Sequence, residues 1–326
     1  MRYDEEKKAR IKECLVGHDD KIDEILPYAE AAACRLNDER RPVGSFLLLG
    51  PSGCGKTRTV EALAYGLHGD ARRLLRIDCG EFMLPHETAR LIGAPPGYLG
   101  HRETHPLLTQ TKINNATSER SNLSILLFDE VEKAHKSFFD ILLGILDHGK
   151  LRLGDSSVTD FSRTLIFMTS NLGSRTEGAS ECYGMPGSGR VESSSEARNA
   201  RALVAAKKFF RPEFMGRVNE VLFYEPLSRE SLRMIFHLEM LAWHERARTS
   251  LGIFKAFNVR VEYEAAELLL DEHTGRDIGA RDLRNAMRKK IFQPVTRKFL
   301  NGEIEPGSTT WIIRDDVVKK RALATG

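Results

Sequence analysis

The sequence predicts an open α/β sheet of mainly parallel strands, followed by a smaller domain that is mostly helical. Apolar runs typical of buried strands alternate with segments whose apolar residues recur at helical spacing. A glycine-rich loop stands between the first of these strands and a helix. Pro226 then marks the start of a segment in which helical patterns dominate. Because strands that alternate with helices favour a parallel sheet, we predict a large domain over 1–225 and a small domain over 226–326.

The composition is that of a globular protein without a membrane span. Hydrophobic residues make up 41% of the 326 positions and charged residues 29%, and no apolar run approaches the ~20 residues that cross a bilayer. Lysine and arginine exceed the acids by 49 − 46 = 3, too small an excess to indicate a nucleic-acid partner. The five cysteines form no C-x-x-C pair. The start of the chain resembles no targeting peptide, so we expect a cytoplasmic protein, or an organelle-matrix protein if a presequence is missing.

Five strands and several helices are predicted in order. The strands of the large domain are expected at 46–49, 74–78, 124–128, 165–169 and 221–224, with helices between them. The small domain is expected to contain helices at 232–247, 265–272 and 281–300 and short strands near 259–263 and 309–313. A stretch rich in Gly, Ser, Glu and Arg over about 173–200 is interpreted as a mobile insertion, with order resuming near Leu203.

The glycine-rich loop fits the phosphate-binding pattern G-x-x-x-x-G-K-[ST]. Its residues are Gly50, Pro51, Ser52, Gly53, Cys54, Gly55, Lys56 and Thr57. Strand, loop and helix follow one another, which is the context that this motif requires. Backbone amides and the helix N-terminus would bind the phosphates, Lys56 would reach the β- and γ-phosphates, and Thr57 would offer a hydroxyl to Mg²⁺. The motif therefore predicts ATP and Mg²⁺ as ligands.

Two acids follow the apolar strand 124–128. Asp129 and Glu130 stand at the carboxyl end of that strand, where ligands of open α/β sheets bind. Phosphoryl transfer needs a metal ligand and a carboxylate that orients and deprotonates the attacking water. Asp129 is therefore predicted to hold Mg²⁺ together with Thr57, and Glu130 is predicted to be the general base of an ATPase.

Several strings resemble the second ATPase module of the Clp chaperone family of AAA+ proteins, over about residues 14–315. They are Arg41-Pro42-Val43-Gly44-Ser45-Phe46, the phosphate loop, Arg90-Leu91-Ile92-Gly93-Ala94-Pro95-Pro96-Gly97-Tyr98, Leu127-Phe128-Asp129-Glu130-Val131-Glu132-Lys133-Ala134-His135, Met168-Thr169-Ser170-Asn171-Leu172-Gly173 and Arg211-Pro212-Glu213-Phe214. The resemblance implies an AAA+ P-loop NTPase domain with a five-stranded sheet, followed by a helical lid domain.

The resemblance also implies roles for residues outside the loop and the acids. The segment Leu15, Val16 and Gly17 is similar to the one that lies against adenine. Asn171 matches the sensor-1 residue that orients the attacking water, and Arg281 matches the sensor-2 residue of the lid. Arg217 matches the arginine finger that a neighbouring subunit supplies, which implies a ring, a homohexamer in this family.

Tyr98 is similar to the pore-loop aromatic that grips a translocating polypeptide. The residues after it, 101–106, depart from the acidic and Gly-Gly pattern of the family, and the second pore segment, 151–159, is also irregular. Tyr183-Gly184-Met185 stands where peptidase-coupled members carry an aliphatic first residue, which disfavours docking to a ring peptidase. Substrate choice is expected to lie in an adaptor or in sequence outside this chain.

The leading hypothesis is an ATP-dependent unfoldase or remodelling chaperone that threads unfolded or aggregated protein through a ring. One alternative is a nucleotide-dependent assembly switch that threads nothing, which the irregular pore segments leave open. Another is a nucleic-acid-processing AAA+ motor, which would need a basic loop interleaved with aromatic residues. The sequence shows no such loop.

Overall fold

The computed structural model describes residues 2–93, 106–173, 195–252, 256–273 and 279–318. Two compact units divide the chain: the first comprises 1–51 and 55–225, and the second comprises 52–54 and 226–326. The strands, in chain order, are β1 (Gly44–Leu49), β2 (Leu75–Asp78), β3 (Ser124–Asp129), β4 (Lys150–Arg152), β5 (Val158–Asp160), β6 (Thr164–Ser170), β7 (Glu220–Phe223), β8 (Asn258–Val261) and β9 (Thr309–Ile312).

Helices lie between these strands along the chain. They are α1 (Arg2–Cys14), α2 (Asp19–Ala33), α3 (Lys56–His68), α4 (Ala89–Ile92), α5 (Gln110–Asn115), α6 (Lys136–His148), α7 (Ser195–Phe209), α8 (Pro212–Met215), α9 (Arg229–Leu251), α10 (Tyr263–His273), α11 (Ala280–Met287), α12 (Gln293–Leu300) and α13 (Arg314–Val318). Short 3₁₀ turns occupy Cys79–Phe82, Pro85–Thr88 and Val131–Lys133. None of the helices in the described ranges is long and apolar enough to cross a membrane.

The first unit is built on a five-stranded sheet in the order β2-β3-β6-β1-β7. Every pairing in this sheet is parallel, so the predicted parallel α/β fold is confirmed. Strands β1, β3 and β6 are buried along their whole length, as expected of central strands that are covered on both faces. The carboxyl ends of these three strands therefore lie side by side at one edge of a rigid core.

The helix α1 was not predicted, because residues 2–13 are mostly polar. One buried side chain, Ile11, anchors this helix against α3. A Cβ atom on Gly66 of α3 would lie only 2.2 Å from Cγ1 of Ile11. The absence of a side chain at position 66 therefore lets the two helices approach closely.

The mobile insertion predicted over about 173–200 was extended too far along the chain. Helix α7 begins at Ser195 and continues through Phe209, so the expectation that order resumes near Leu203 is wrong, whereas 174–194 lie outside the described residues. The alanines among residues 195–206 favour a helix, and Ala202 and Ala206 are buried. The Ser and Glu residues that suggested a loop also occur commonly at helix starts.

The second unit contains helices α9 to α13 and a two-stranded parallel sheet, β8-β9. Residues 281–300 were predicted as one helix, and they are helical throughout, but a π-helical turn at Arg288–Phe292 separates α11 from α12. Pro294 in the first turn of α12 has no N–H to bond to the preceding turn. The local shift of the hydrogen-bond ladder follows from that missing donor.

Candidate active site

The predicted strand, loop and helix are present at the phosphate-binding motif. Strand β1 ends at the fully buried Leu49, and α3 begins at Lys56. Gly55 caps α3 in the left-handed region, with φ of 115°, and no side chain among the described residues caps this helix. The N-terminus of α3 thus directly follows the glycine loop, which is the usual arrangement for phosphate binding at a helix N-terminus.

The side chain of Lys56 is 7% exposed and reaches the carboxyl end of the sheet. Its Nζ donates to the carbonyl oxygens of Gly50 (2.6 Å) and Pro51 (2.8 Å) and to Oδ1 of Asn171 (2.9 Å). Asn171 follows β6, which pairs directly with β1, the strand that precedes the loop. The predicted phosphate-binding lysine and the predicted sensor-1 residue are thus in direct contact.

The carboxylate of Asp129 is the centre of a second set of contacts. Its Oδ1 lies 3.4 Å from Oγ1 of Thr57 and accepts a hydrogen bond from Oγ1 of Thr169, and its Oδ2 pairs with Arg76 of β2. The Thr169 hydroxyl also accepts from the backbone N–H of Glu130 at 2.9 Å. Thr169 therefore links the end of β6 to both acids at the end of β3.

Thr57 and Asp129 offer the donor set that Mg²⁺ requires. A hydroxyl and a carboxylate oxygen are hard ligands, and Mg²⁺ commonly takes one or two protein ligands and fills its other positions with water and phosphate oxygens. In the described part of the chain no cluster of three or more His, Cys, Asp or Glu residues suits a metal. The two-residue oxygen set is consistent with Mg²⁺ held jointly by protein and nucleotide.

Glu130 has a strained backbone, with φ of 56° and ψ of 52°. A left-handed conformation costs a non-glycine residue about 1–2 kcal/mol, and it turns the chain sharply after β3. The side chain pairs with Lys133, and this pairing raises the pKa of Lys133. Strained backbone of this kind occurs often at active sites, and here it directs the predicted general base away from the axis of its strand.

Glu132 fixes the orientation of Asn171. Its Oε1 accepts from the backbone N–H of Asn171 at 3.0 Å and from Nδ2 at 3.2 Å. The amide of Asn171 therefore donates to a carboxylate at one end and accepts from Lys56 at the other. Sequence reasoning did not assign a role to Glu132.

Arg217, the predicted arginine finger, lies at the opposite edge of the sheet. Its carbonyl oxygen accepts from Oγ of Ser45 at 2.9 Å, and Ser45 stands near the amino end of β1, whereas the phosphate loop follows the carboxyl end. The four residue steps from Ser45 to Leu49 span about 13 Å at ~3.3 Å per residue. The guanidinium pairs with Asp147 of α6, and the Arg217 side chain is 41% exposed.

The segment Leu15-Val16-Gly17 connects α1 to α2. Leu15 is buried, and Gly17 has a positive φ of 78°. The next residue, His18, is also buried and packs against Tyr224 with ring centroids 4.8 Å apart. A Cβ atom on Gly55 would lie 3.0 Å from Nε2 of His18, so this segment passes close to the phosphate loop.

The predictions for Arg281, Tyr98 and the segment 183–185 concern other parts of the chain. Arg281 is the second residue of α11 in the second unit, and it is exposed. Tyr98 and the segment 183–185 lie outside the described residues. Cys54 of the phosphate loop is buried.

Three residues of this site were assigned no role from the sequence: Arg76, Glu132 and Thr169. Asp147, which pairs with Arg217, was assigned none either. Glu132 and Thr169 stand inside strings that the sequence analysis had singled out, so their proximity to Asp129 and Asn171 was an available signal. Arg76 lies two residues before Asp78 on β2, and Asp78 pairs in register with Asp129. The reach of its side chain to Asp129 depends on tertiary structure.

A glycine loop after β1, a buried lysine and two acids at the end of β3, which is separated from β1 by β6 alone, define a P-loop nucleoside triphosphatase. The family described as "AAA domain (Cdc48 subfamily)" matches residues 41–221, more than half of the chain, and the chain belongs to this family of ATPases. The "C-terminal, D2-small domain, of ClpB protein" matches residues 227–312.

Similar proteins carry chaperone and protease-subunit names. The chain is 36% identical to the chaperone protein ClpB of Rhizobium meliloti (strain 1021) over 92% of its length and 32% of that relative. It is 34% identical to ClpB of Meiothermus ruber, over 96% and 35%. It is 33% identical to the ATP-dependent Clp protease ATP-binding subunit ClpC of Staphylococcus aureus (strain USA300), over 94% and 36%. The chain thus spans about a third of the length of these relatives.

One solved structure shows the same fold. It is a closed-state cryoEM reconstruction of Hsp104 with ATPyS and FITC casein, matched with a TM-score of 0.77 at 27% identity. The match covers 94% of this chain and 50% of that chain. The resemblance to a Clp-type AAA+ ATPase module is confirmed.

Proposed function

We propose that copies of this chain form a ring, a homohexamer, that hydrolyses ATP and threads unfolded or aggregated polypeptide through its pore. The observation that carries the proposal is the convergence of Lys56, Asp129, Glu130 and Asn171 at the carboxyl ends of β1, β3 and β6. Chaperone names among the similar proteins support the remodelling function. The cytoplasm is the proposed compartment, with an adaptor or further sequence selecting the substrate.

The hydrolytic step requires each of these side chains in a different role. Lys56 balances the negative charge that spreads over the transferred phosphoryl group. Glu130 accepts the proton of the attacking water, and Asn171 orients that water. Bound Mg²⁺, held by Thr57 and Asp129, would supply further positive charge at the β- and γ-phosphate oxygens. Leu15, Val16 and Gly17 form the proposed adenine contact, with Arg281 acting as a nucleotide sensor in the small domain.

The position of Arg217 supports a ring. The backbone carbonyl of Arg217 contacts Ser45 near the amino end of β1, whereas the phosphate loop of the same chain follows the carboxyl end of that strand. A planar and permanently charged guanidinium is well suited to stabilise the transferring phosphoryl group. We therefore propose that Arg217 acts on the nucleotide of the neighbouring copy.

Threading is tested through Tyr98. The Tyr98→Ala variant should keep basal ATPase within about threefold of wild type and lose unfolding of a tagged fluorescent reporter by more than ~10-fold. Tyr263→Ala is the matched control, because Tyr263 is 72% exposed on α10 of the second unit. That variant should change neither rate.

Two outcomes would contradict the threading proposal. If ATPase and unfolding fall together in Tyr98→Ala, the aromatic is a packing residue and does not grip the substrate. If the wild type hydrolyses ATP, unfolds no substrate with any adaptor tried and is unchanged by Tyr98→Ala, the chain is a nucleotide-dependent assembly switch.

A further inference from the structure

Two glutamates follow β3 within three residues, and only one of them has a role in the proposed mechanism. Glu130 is the proposed base. Glu132 stands in the 3₁₀ turn Val131–Lys133, and its Oε1 accepts two hydrogen bonds from a single partner, Asn171. Such a paired contact holds both the backbone and the side chain of that partner.

The donor and acceptor chemistry of this contact fixes the orientation of the Asn171 amide. A carboxylate only accepts and an ammonium group only donates. The Asn171 end that faces Glu132 must therefore be the NH₂ group, and the end that faces Lys56 at 2.9 Å must be Oδ1. A flipped amide would place NH₂ against the lysine ammonium, and carbonyl oxygen against the carboxylate.

The second carboxylate oxygen of Glu132 makes no comparable contact in the described part of the chain. Oε2 is buried, and it has no hydrogen-bond partner among the described residues. A buried oxygen without a partner costs about 1–3 kcal/mol, so the fold does not place this carboxylate for its own solvation. The contact with Asn171 is the interaction that the position provides.

We infer that Glu132 is the positioning residue of the ATPase site: it locks the Asn171 amide so that Oδ1 faces Lys56 and Nδ2 faces Glu132. The inference rests on the proposed role of Asn171 in hydrolysis. Glu132 acts through Asn171, whereas Glu130 acts on the water.

The test is a double-mutant cycle on kcat with a parallel measurement of ATP affinity. Glu132→Ala should lower kcat about tenfold or more, in line with the loss of other groups that orient active-site ligands, with ATP affinity unchanged. Asn171→Ala should lower kcat at least as much. Because Glu132 acts only through Asn171, the double variant should lose no more than Asn171→Ala alone.

Two further variants separate positioning from a structural role. Glu132→Gln keeps an acceptor oxygen for the Asn171 N–H groups, so it should restore kcat to within about threefold of wild type. Glu39→Ala removes an exposed glutamate before β1 and should leave kcat unchanged.

The outcomes distinguish this inference from the proposed function beneath it. If Asn171→Ala retains full turnover, the proposed role of Asn171 is wrong. If Asn171→Ala loses turnover while Glu132→Ala keeps it, or if the two losses multiply in the double variant, only the positioning role of Glu132 is wrong. The positioning role of Glu132 would also be wrong if Glu132→Ala lowered ATP affinity, thermal stability and kcat together and Glu132→Gln restored none of them.

Discussion

The two ends of the central sheet use polar residues in opposite ways. At the amino end, neutral groups bond to one another: Oγ of Ser124 lies 2.7 Å from Oγ1 of Thr164, and Oγ of Ser45 donates to Asn219 at the same distance. At the carboxyl end, Lys56 and Glu132 contact the side chain of Asn171, and Asp129 contacts the side chain of Thr169. Neutral pairs satisfy buried groups at little electrostatic cost, whereas several desolvated charges require compensation.

The polar residues at the amino end of the sheet serve the fold, whereas those at the carboxyl end serve function. The neutral pairs at the amino end hold strands in register and suit a purely structural role. The charged groups at the carboxyl end compensate one another only in part, since Oε2 of Glu132 has no partner within the described ranges. We interpret that edge as one whose charges are arranged for a ligand.

Arg217 breaks the pattern, because it is a charged residue at the amino end. In Arg217→Ala, hydrolysis should fall by about 10³-fold or more, the usual contribution of an arginine finger, while ATP binding persists. Turnover in mixtures with increasing amounts of Lys56→Ala is the measurement, since that variant lacks the phosphate lysine but still carries a finger. Partial recovery on mixing supports action in trans.

The neighbouring Arg211 provides the control for this experiment. It pairs with Asp140 at 3.0 Å and is similarly exposed, so Arg211→Ala removes a comparable ion pair of the first unit. That variant should keep its turnover. A dilute monomer with full activity, or an equal loss in Arg211→Ala, would rule out the trans finger.

His68 is a buried ionisable residue outside the proposed site, and it tests how the fold treats a charge that has no role in catalysis. It lies at the carboxyl end of α3, its Nδ1 contacts Oγ of Ser118 at 3.0 Å, and its Nε2 has no partner in the described part of the chain. Burial, together with the nearby charges of Arg73 and Lys7, lowers the pKa of His68 to about 4. The unfolded chain therefore takes up this proton at a higher pH than the folded chain.

The free energy of unfolding should consequently fall as the pH drops below the ordinary histidine value. Between about pH 7 and about pH 5, His68 should account for a loss of about 2 kcal/mol. Chemical denaturation of wild type and His68→Gln at both pH values isolates this contribution. Equal pH dependence in the two proteins would show that His68 titrates normally in the fold.

The expected effect of Ser124→Ala is confined to stability. Loss of one neutral hydrogen bond to Thr164 should lower the free energy of unfolding by about 1–3 kcal/mol and leave kcat and ATP affinity unchanged. Denaturant unfolding measures the free energy of unfolding, and steady-state ATPase assays measure kcat and the dependence on ATP. A selective loss of turnover would mean that the amino end of β3 also takes part in catalysis.

The sequence predicted those parts of the molecule that depend on local pattern. The five strands of the sheet are apolar runs, and the phosphate loop is a contiguous motif, so both are visible before folding. The hairpin of β4 and β5 was missed because each strand has only three residues, and α1 was missed because its sequence is mostly polar.

The site could be predicted only where its residues stand next to a recognisable strand end. Asp129 and Glu130 meet that condition. Glu132 does not, since a sequence pattern cannot show which of two nearby acids turns toward Asn171. The pairing of Arg76 with Asp129 and of Arg217 with Asp147 depends on distances between separate elements, which periodicity does not report.

The most direct test of the account is ATP binding and single-turnover hydrolysis by Glu130→Gln, with Glu39→Gln as the matched surface control. The phosphate loop, Thr57 and Asp129 remain intact in this variant. We therefore expect ATP affinity near that of wild type and hydrolysis slower by at least ~10²-fold, as for the loss of a general base, with the control unaffected. Near-normal hydrolysis by Glu130→Gln would contradict the assignment of the carboxyl-end charges to ATP turnover.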